Sequence, residues 1–431
     1  MLMLALLTIG AAGCTPTPTI EGVTAINEVF GDGSKMSAAV ISFTGDVDGT
    51  RLDPSCFSAE GKEIVNVYAS TTGEKGDVAD KGKYVVIELN AGTVIKPVLQ
   101  PQGRLEGPKL GGAAGGPQGG GGPQLGGPKP GSGPTPKPEP SYVDTLLIEQ
   151  TQPIYGANGG EIAPSAEKLQ AITSRTLIAD DFKQLTFHDE ATGIDLRYNL
   201  YEPANLEEGK TYPMVLFMHD ASGSSKKNHR LPLLQGNGAT TWASPEWQAK
   251  HPCYVLAPKF DQVTVNDAFE STDDLEACLN LVENIIANYQ VDADRVYTTG
   301  QSMGCMMSYE FMVRRPNLFA SAMLVAGQWN PATIAPLAKK NLWLLSCIGD
   351  VKSSEGVAAA IKVWTKNGAK VVEQEWPLES APEQDKALVE GMLSEGGNIH
   401  FSHFTGGSHN NTWRVAYYLD AVKEWLFEQT R

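Results

Sequence analysis

The sequence predicts an α/β fold, a mostly parallel doubly wound sheet, preceded by a small all-β sandwich. Three observations carry that expectation. From about Leu177 onward, short apolar runs alternate with segments of helical period. Between Ile20 and Leu99 there are only short alternating runs separated by turn formers, with no helical pattern of useful length. Between these regimes lies 103–140, dominated by glycine, proline and glutamine, which cannot bury enough apolar area to offset its chain entropy.

At 431 residues the chain exceeds one ordinary domain. The expected division is a leader and tether at 1–19, the β-sandwich at 20–175 and the α/β domain at 176–431. The Gly/Pro-rich segment is expected to be a disordered insertion inside the sandwich rather than a divider. A strand-like stretch at 142–154 follows it, and no helical region begins until much later; surface loops tolerate long insertions at little thermodynamic cost. Composition is that of a folded protein, 41% hydrophobic and 19% charged. The formal charge of −16 argues against a phosphate-backbone partner, because such a surface repels nucleic acid and anionic lipid.

The N-terminus is a short apolar run, Met1 to Ile9, followed by Gly10-Ala11-Ala12-Gly13-Cys14. Small residues leading into a cysteine look like a bacterial lipobox, which makes Cys14 the expected lipidation site and places the protein outside the cytoplasm. Two features depart from that pattern: the basic segment before the apolar run is missing, and Ala11 stands where leucine is preferred. Thr15-Pro16-Thr17-Pro18-Thr19 reads as a flexible tether. The remaining cysteines, Cys56, Cys253, Cys278, Cys305 and Cys347, have no regular spacing, so neither a disulfide framework nor a zinc site is expected. A Cys253–Cys278 bridge is compatible with export but not specified by the sequence.

In the sandwich region, 38–43, 64–68 and 84–89 alternate as strands should. In the α/β region the strands are expected at 184–188, 196–201, 214–218, 254–258, 296–299, 320–325, 342–347 and 399–404. Helices are expected at 272–289, 303–314, 356–367 and 412–429, the last with apolar spacing at Val415, Leu419, Val422 and Leu426.

Gly300-Gln301-Ser302-Met303-Gly304 follows one of these strands and opens a helix. This is the G-x-S-x-G nucleophile elbow in the context it requires. The turn is strained, so flanking glycines remove Cβ atoms that would clash, and the serine hydroxyl is pushed into the open. A hydroxyl needs a base and an acid, expected downstream in the order Ser, Asp/Glu, His, which is that of the α/β-hydrolase fold. Of seven histidines, His400, His403 and His409 lie downstream. The first two fall in an alternating strand, whereas His409 lies in Gly406-Gly407-Ser408-His409-Asn410-Asn411, a loop before the last helix, and is the expected base. Asp350 ends an apolar strand and is the expected acid; Glu355, its competitor, falls where the next helix should begin.

The oxyanion hole is expected to use the Met303 N–H and one from the loop His219-Asp220-Ala221-Ser222-Gly223, with Ala221 first and Asp220 next. His219 itself reads as a brace for this loop. Trp242, Trp247, Trp329 and Gln328 fall near the same edge; Trp329, Gln328 and Trp242 are the candidates for a substrate pocket, with core packing the competing reading for the tryptophans.

With these residues in place, the chain resembles the bacterial EstA-type esterases, an immunoglobulin-like domain followed by an α/β-hydrolase domain. The matching stretches include Val215-Leu216-Phe217-Met218-His219-Asp220-Ala221-Ser222-Gly223, Gln235-Gly236-Asn237-Gly238-Ala239, Ala326-Gly327-Gln328-Trp329, Ile348-Gly349-Asp350 and His409-Asn410-Asn411-Thr412-Trp413-Arg414. The resemblance implies carboxylic-ester hydrolysis without cofactor or metal, through Ser302, Asp350 and His409. A small or aromatic acyl ester is the expected substrate class, feruloyl and acetyl polysaccharide esters included. A peptidase of the prolyl-oligopeptidase kind shares fold and triad order, and an inactive surface binding protein is the third reading. The only expected membrane contact is the lipid anchor; a homo-oligomer is compatible with the sequence.

Overall fold

The computed structural model describes residues 16–92 and 146–431. The Gly/Pro-rich segment and Cys14 lie outside the described residues. The chain divides into two compact units, the second starting its continuous run at Leu177.

The first unit is all β. Its strands are β1 (Ile20–Phe30), β2 (Gly33–Asp48), β3 (Phe57–Ala59), β4 (Ile64–Ser70), β5 (Lys81–Leu89), β6 (Leu147–Gln150), β7 (Ile154–Tyr155), β8 (Glu161–Ile162), β9 (Leu169–Gln170) and β10 (Thr173–Thr176). A five-stranded sheet runs β10-β1-β2-β5-β4, a three-stranded one β3-β6-β9, and β7 pairs with β8. The strand period of two decides what is buried. Ala39, Ile41 and Phe43 of β2, Val85 and Ile87 of β5 and Ile148 of β6 share one core. The chain from Leu147 to Thr176, beyond the undescribed segment, therefore belongs to the same unit as β1–β5.

The second unit is a nine-stranded sheet with helices on both faces. Its strands are β11 (Lys183–Asp189), β12 (Ile194–Tyr201), β13 (Tyr212–Met218), β14 (Tyr254–Lys259), β15 (Val291–Gln301), β16 (Ser321–Val325), β17 (Asn341–Cys347), β18 (Val371–Pro377) and β19 (Ile399–Thr405). They lie in the order β11-β12-β14-β13-β15-β16-β17-β19-β18. Only β12 runs against its neighbours; every pair from β14 to β18 is parallel. The helices are α1 (Leu231–Leu234), α2 (Pro245–Lys250), α3 (Asp274–Asn288), α4 (Met303–Arg314), α5 (Val351–Lys366), α6 (Pro382–Ser394), α7 (His409–Ala416) and α8 (Asp420–Phe427).

Strand β13 shows why both faces are covered, since it is buried along its whole length. Met214, Leu216 and Met218 face the core shared with α3, α4 and α5, while Val215 and Phe217 face the one shared with α2, α6, α7 and α8. A strand buried on both faces reads as a continuous apolar run. All eight strands expected in this region are present. Two helical expectations need correction. Helix α5 begins at Val351, capped by Asp350, so Glu355 sits exposed inside the helix rather than at its start. The helix expected at 412–429 is two, broken between Ala416 and Asp420, although Val415, Leu419, Val422 and Leu426 are all buried as their spacing requires. Strand β18 and helices α1, α2 and α6 were not expected. Cys56, Cys253, Cys278, Cys305 and Cys347 are buried free thiols, so Cys253 and Cys278 are not bridged. Among the described residues no helix is long and apolar enough to cross a membrane.

Candidate active site

The site lies at the carboxyl ends of β13, β15 and β17, where a parallel sheet delivers its loops. Ser302 stands between β15 and α4 with φ 54° and ψ −114°, the strained conformation a strand-to-helix elbow imposes. The glycines around it permit close packing. A Cβ on Gly300 would lie 2.5 Å from the Gly304 carbonyl carbon, so neither end of the turn could carry a side chain without displacement. The Ser302 N–H donates to Val325 O at 3.0 Å, which ties the elbow to the end of β16.

Two loops bring the other members of the relay to the serine. His409 is the first residue of α7, whose start is fixed by a capping box between Ser408 and Asn411. Asp350 follows β17 and caps α5 through the Ser353 N–H. The two loops touch closely: a Cβ on Gly349 would lie 2.1 Å from Gly407 O. The Thr412 hydroxyl accepts from Cys347 N–H at 3.1 Å, which pins α7 to the end of β17.

The three side chains form one chain of hydrogen bonds. His409 Nδ1 lies 2.6 Å from Asp350 Oδ2, and His409 Nε2 lies 2.9 Å from Ser302 Oγ. An ionised carboxylate can only accept, so Nδ1 carries the proton and Nε2 presents its lone pair to the serine hydroxyl. Asp350 is 7% exposed, while the His409 side chain is 42% exposed. The Trp413 and His409 rings pack perpendicular to each other, their centroids 5.0 Å apart. His400 and His403 sit in β19, away from the serine. His400 is buried against Trp343 and Trp425, and its pKa is pushed down to about 4 by burial.

Met303 is the first residue of α4, so its N–H has no acceptor within the helix. The pairing of Met218 with Gly300 sets the loop after β13 beside the elbow, where Asp220 accepts from Gln301, the residue before Ser302. His219 is wholly buried behind that loop. Its Nδ1–H donates to Asp220 O at 2.7 Å and its Nε2 accepts from Phe260 N–H at 3.2 Å; burial holds its pKa down at about 4. It is a neutral brace.

The pocket candidates fare differently. Trp242 is fully buried among Trp247, Phe427 and Cys253, and its Nε1–H donates to Gly238 O, so it is core and lines no substrate pocket. Trp329 is 3% exposed, with Nε1–H donating to Glu310 Oε2 and its ring edge-on to Phe269. Gln328 is partly buried and donates to Asp267, which also pairs with Lys352. That bridge joins the loops after β14 and β16 to the first turn of α5. It escaped sequence reasoning because its members are far apart in the chain and belong to no motif. Gln301 was also missed as a side chain, although it stands inside the elbow motif: its amide donates to Asp220.

The sheet order and the hydrogen-bonded serine, histidine and aspartate define the class, an α/β-hydrolase fold with a serine-hydrolase site. The comparisons place the chain more narrowly. Residues 22–163 match the model of the esterase Ig-like N-terminal domain, and 269–335 match that of the prolyl oligopeptidase family. The crystal structure of a thermostable esterase superposes with a TM-score of 0.72 and 24% identity, over 95% of this chain and 100% of that one. This likeness concerns the fold. Over 129 residues the chain is 26% identical to poly(3-hydroxyalkanoate) depolymerase C of Paucimonas lemoignei, an alignment covering 26% of this chain and 31% of the depolymerase. The chain thus matches about a third of that relative's length. The resemblance to EstA-type esterases is borne out by the N-terminal match and by a structural likeness that runs through both units.

Proposed function

We propose that this chain is a serine carboxylesterase acting on small acyl or aromatic esters through an acyl-enzyme. The observation that carries the reading is the unbroken relay from Ser302 through His409 to Asp350. Ser302 Oγ attacks the ester carbonyl carbon while His409 Nε2 takes its proton. The carbonyl oxygen becomes an oxyanion held by the N–H of Met303 and that of Ala221 or Asp220. The tetrahedral species collapses, the C–O bond to the alcohol breaks, and His409 returns its proton to the leaving oxygen. Water, deprotonated by the same nitrogen, then attacks the acyl-serine and releases the carboxylic acid. Asp350 keeps the imidazole in the required tautomer and balances its charge in both halves.

A second reading, a peptidase, is favoured by the match of 269–335 to the prolyl oligopeptidase family. That stretch spans the elbow but neither Asp350 nor His409, while the N-terminal match is to an esterase domain. Fold alone does not decide between amide and ester. Turnover of p-nitrophenyl esters against peptide p-nitroanilides does: esters hydrolysed with anilides untouched supports the esterase, and the reverse overturns it. Feruloyl- and acetyl-decorated polysaccharides are the natural esters to test next, and the depolymerase likeness adds short hydroxyalkanoate oligomers.

The run into Gly10-Ala11-Ala12-Gly13-Cys14 supports export with a lipid on Cys14. Metabolic labelling with an alkynyl fatty acid tests this. Label lost in Cys14→Ser supports the anchor, and label absent from the wild type removes it.

A further inference from the structure

One buried carboxylate at the site has no part in the relay. Asp220 is 9% exposed and its side chain accepts four hydrogen bonds from three segments of the chain. Oδ1 accepts from the Ser222 N–H at 2.7 Å and the Ser222 hydroxyl at 2.5 Å. Oδ2 accepts from Gln235 Nε2 and from Gln301 Nε2, both at 2.9 Å. All four donors are neutral. A carboxylate buried on neutral donors is a poor way to gain stability compared with an apolar side chain of similar size. What it can do is fix geometry, because it joins the loop after β13, the residue following α1 and the residue directly before Ser302.

The backbone explains why such a joint is needed. The ladder between β13 and β15 ends with Met218 opposite Gly300. Beyond that pair, Asp220 and Ala221 on one side face Ser302 and Met303 on the other with no further rung of the ladder. An oxyanion hole takes one N–H from each side and must hold both about 2.7–3.1 Å from a single oxygen. The Asp220–Gln301 hydrogen bond is the next rung, made from side chains. Gln235 braces it from behind: its Oε1 is packed so close to the loop that a Cβ on Gly223 would lie 2.7 Å from it. The four donors, the Ser222 N–H among them, occupy the carboxylate's acceptor sites, so it does not draw on the N–H groups of Ala221 and Met303.

We propose that Asp220 and Gln301 are a positioning pair that sets the spacing of the two halves of the oxyanion hole. The inference rests on the esterase reading of Ser302 and concerns rate rather than substrate binding.

Three variants test it beside the wild type, with p-nitrophenyl butyrate as substrate and rates normalised to the fraction of Ser302 titrated to completion by a fluorophosphonate. Gln301→Met removes the donor while keeping the side-chain length. Gln301→Glu sets a second carboxylate against Asp220. Asp220→Asn combined with Gln301→Glu restores the rung with its polarity reversed, the new amide donating to the new carboxylate. Each single Gln301 variant is expected to lower kcat by about 10- to 100-fold with KM within about threefold of wild type. The double variant is expected to regain about tenfold over Gln301→Glu. A merely structural role would lower the titrated fraction and leave kcat per titrated site intact, which overturns the proposal. So does a double variant no faster than Gln301→Glu, or a Gln301→Met enzyme with wild-type kcat. A wild type without ester turnover removes the esterase reading and this inference with it, whereas a turning-over wild type with an indifferent Gln301 removes the inference alone.

Discussion

Gly304 lies so close to Met218 that a Cβ on the glycine would sit 2.1 Å from the methionine's carbonyl oxygen and 2.6 Å from its carbonyl carbon. Both atoms of Met218 are backbone, so nothing flexible can give way. The first turn of α4 therefore rests directly on the end of β13, and this contact sets the height at which Ser302 and Met303 stand above the sheet. Gly304→Ala must push the two elements apart. The expected result is a loss of about 1–3 kcal/mol in urea unfolding, as for overpacking, and a fall in kcat/KM of about 100-fold from the displaced nucleophile. Wild-type values in both measurements would show that the close approach does not position the serine.

Asp350 holds two roles that substitutions separate. Its carboxylate orients His409 and also caps α5. Asparagine caps as well as aspartate but offers an N–H where the imidazole needs an acceptor. Asp350→Asn should melt with the wild type and lose about 10⁴-fold in kcat. Asp350→Ala should lose the cap as well, at about 1 kcal/mol in chemical denaturation.

His400 makes the fold sensitive to acid. Both ring nitrogens are buried without a hydrogen-bond partner, and the ring stacks on Trp343 at 4.7 Å. Burial lowers its pKa in the folded state to about 4, from the ordinary histidine value of 6.5. The unfolded chain thus binds this proton more readily, so the neutral histidine contributes its full stability above about pH 6.5, and that contribution is lost as pH falls toward 4. His219 behaves alike and adds to the loss. His400→Phe keeps the stacking and removes one such protonation, so its acid-unfolding midpoint should move to lower pH. An unmoved midpoint would show that His400 stays neutral until the fold has already opened.

Trp242 separates core from pocket. Because it is fully buried against Trp247 and Phe427, Trp242→Ala should cost about 3–5 kcal/mol in stability. The preference among acetyl, butyryl and octanoyl esters should remain that of the wild type. A changed chain-length preference in the folded variant would return Trp242 to the substrate site.

The strands were legible because the sheet is buried on both faces: β13, β16 and β17 are short, almost wholly apolar runs that alternate with helical segments. Ser302, Asp350 and His409 were legible because a strained turn, a strand end and a loop before a helix each leave a local mark. The missing elements lack such marks. Strand β18 is the sheet edge, its alternation of Glu373 and Glu375 with Val372 and Trp376 ends in Pro377, and α6 buries only Asp385, Val389 and Met392. The break between α7 and α8 carries no glycine or proline, and both helices keep one apolar face, so the period runs across it. The tryptophans misled because an aromatic near a loop in sequence can still point into the core. The Asp220–Gln301 rung spans residues 81 apart in the chain, a distance over which a single sequence carries no pattern.

That Ser302 is the nucleophile of an ester hydrolase is tested most directly by steady-state hydrolysis of p-nitrophenyl acetate, butyrate and octanoate by wild type and Ser302→Ala. Turnover by the wild type should vanish in the variant, with intact protein mass showing one acyl group trapped on the wild type alone. Equal rates in the two proteins, whether fast or negligible, would contradict this role for Ser302.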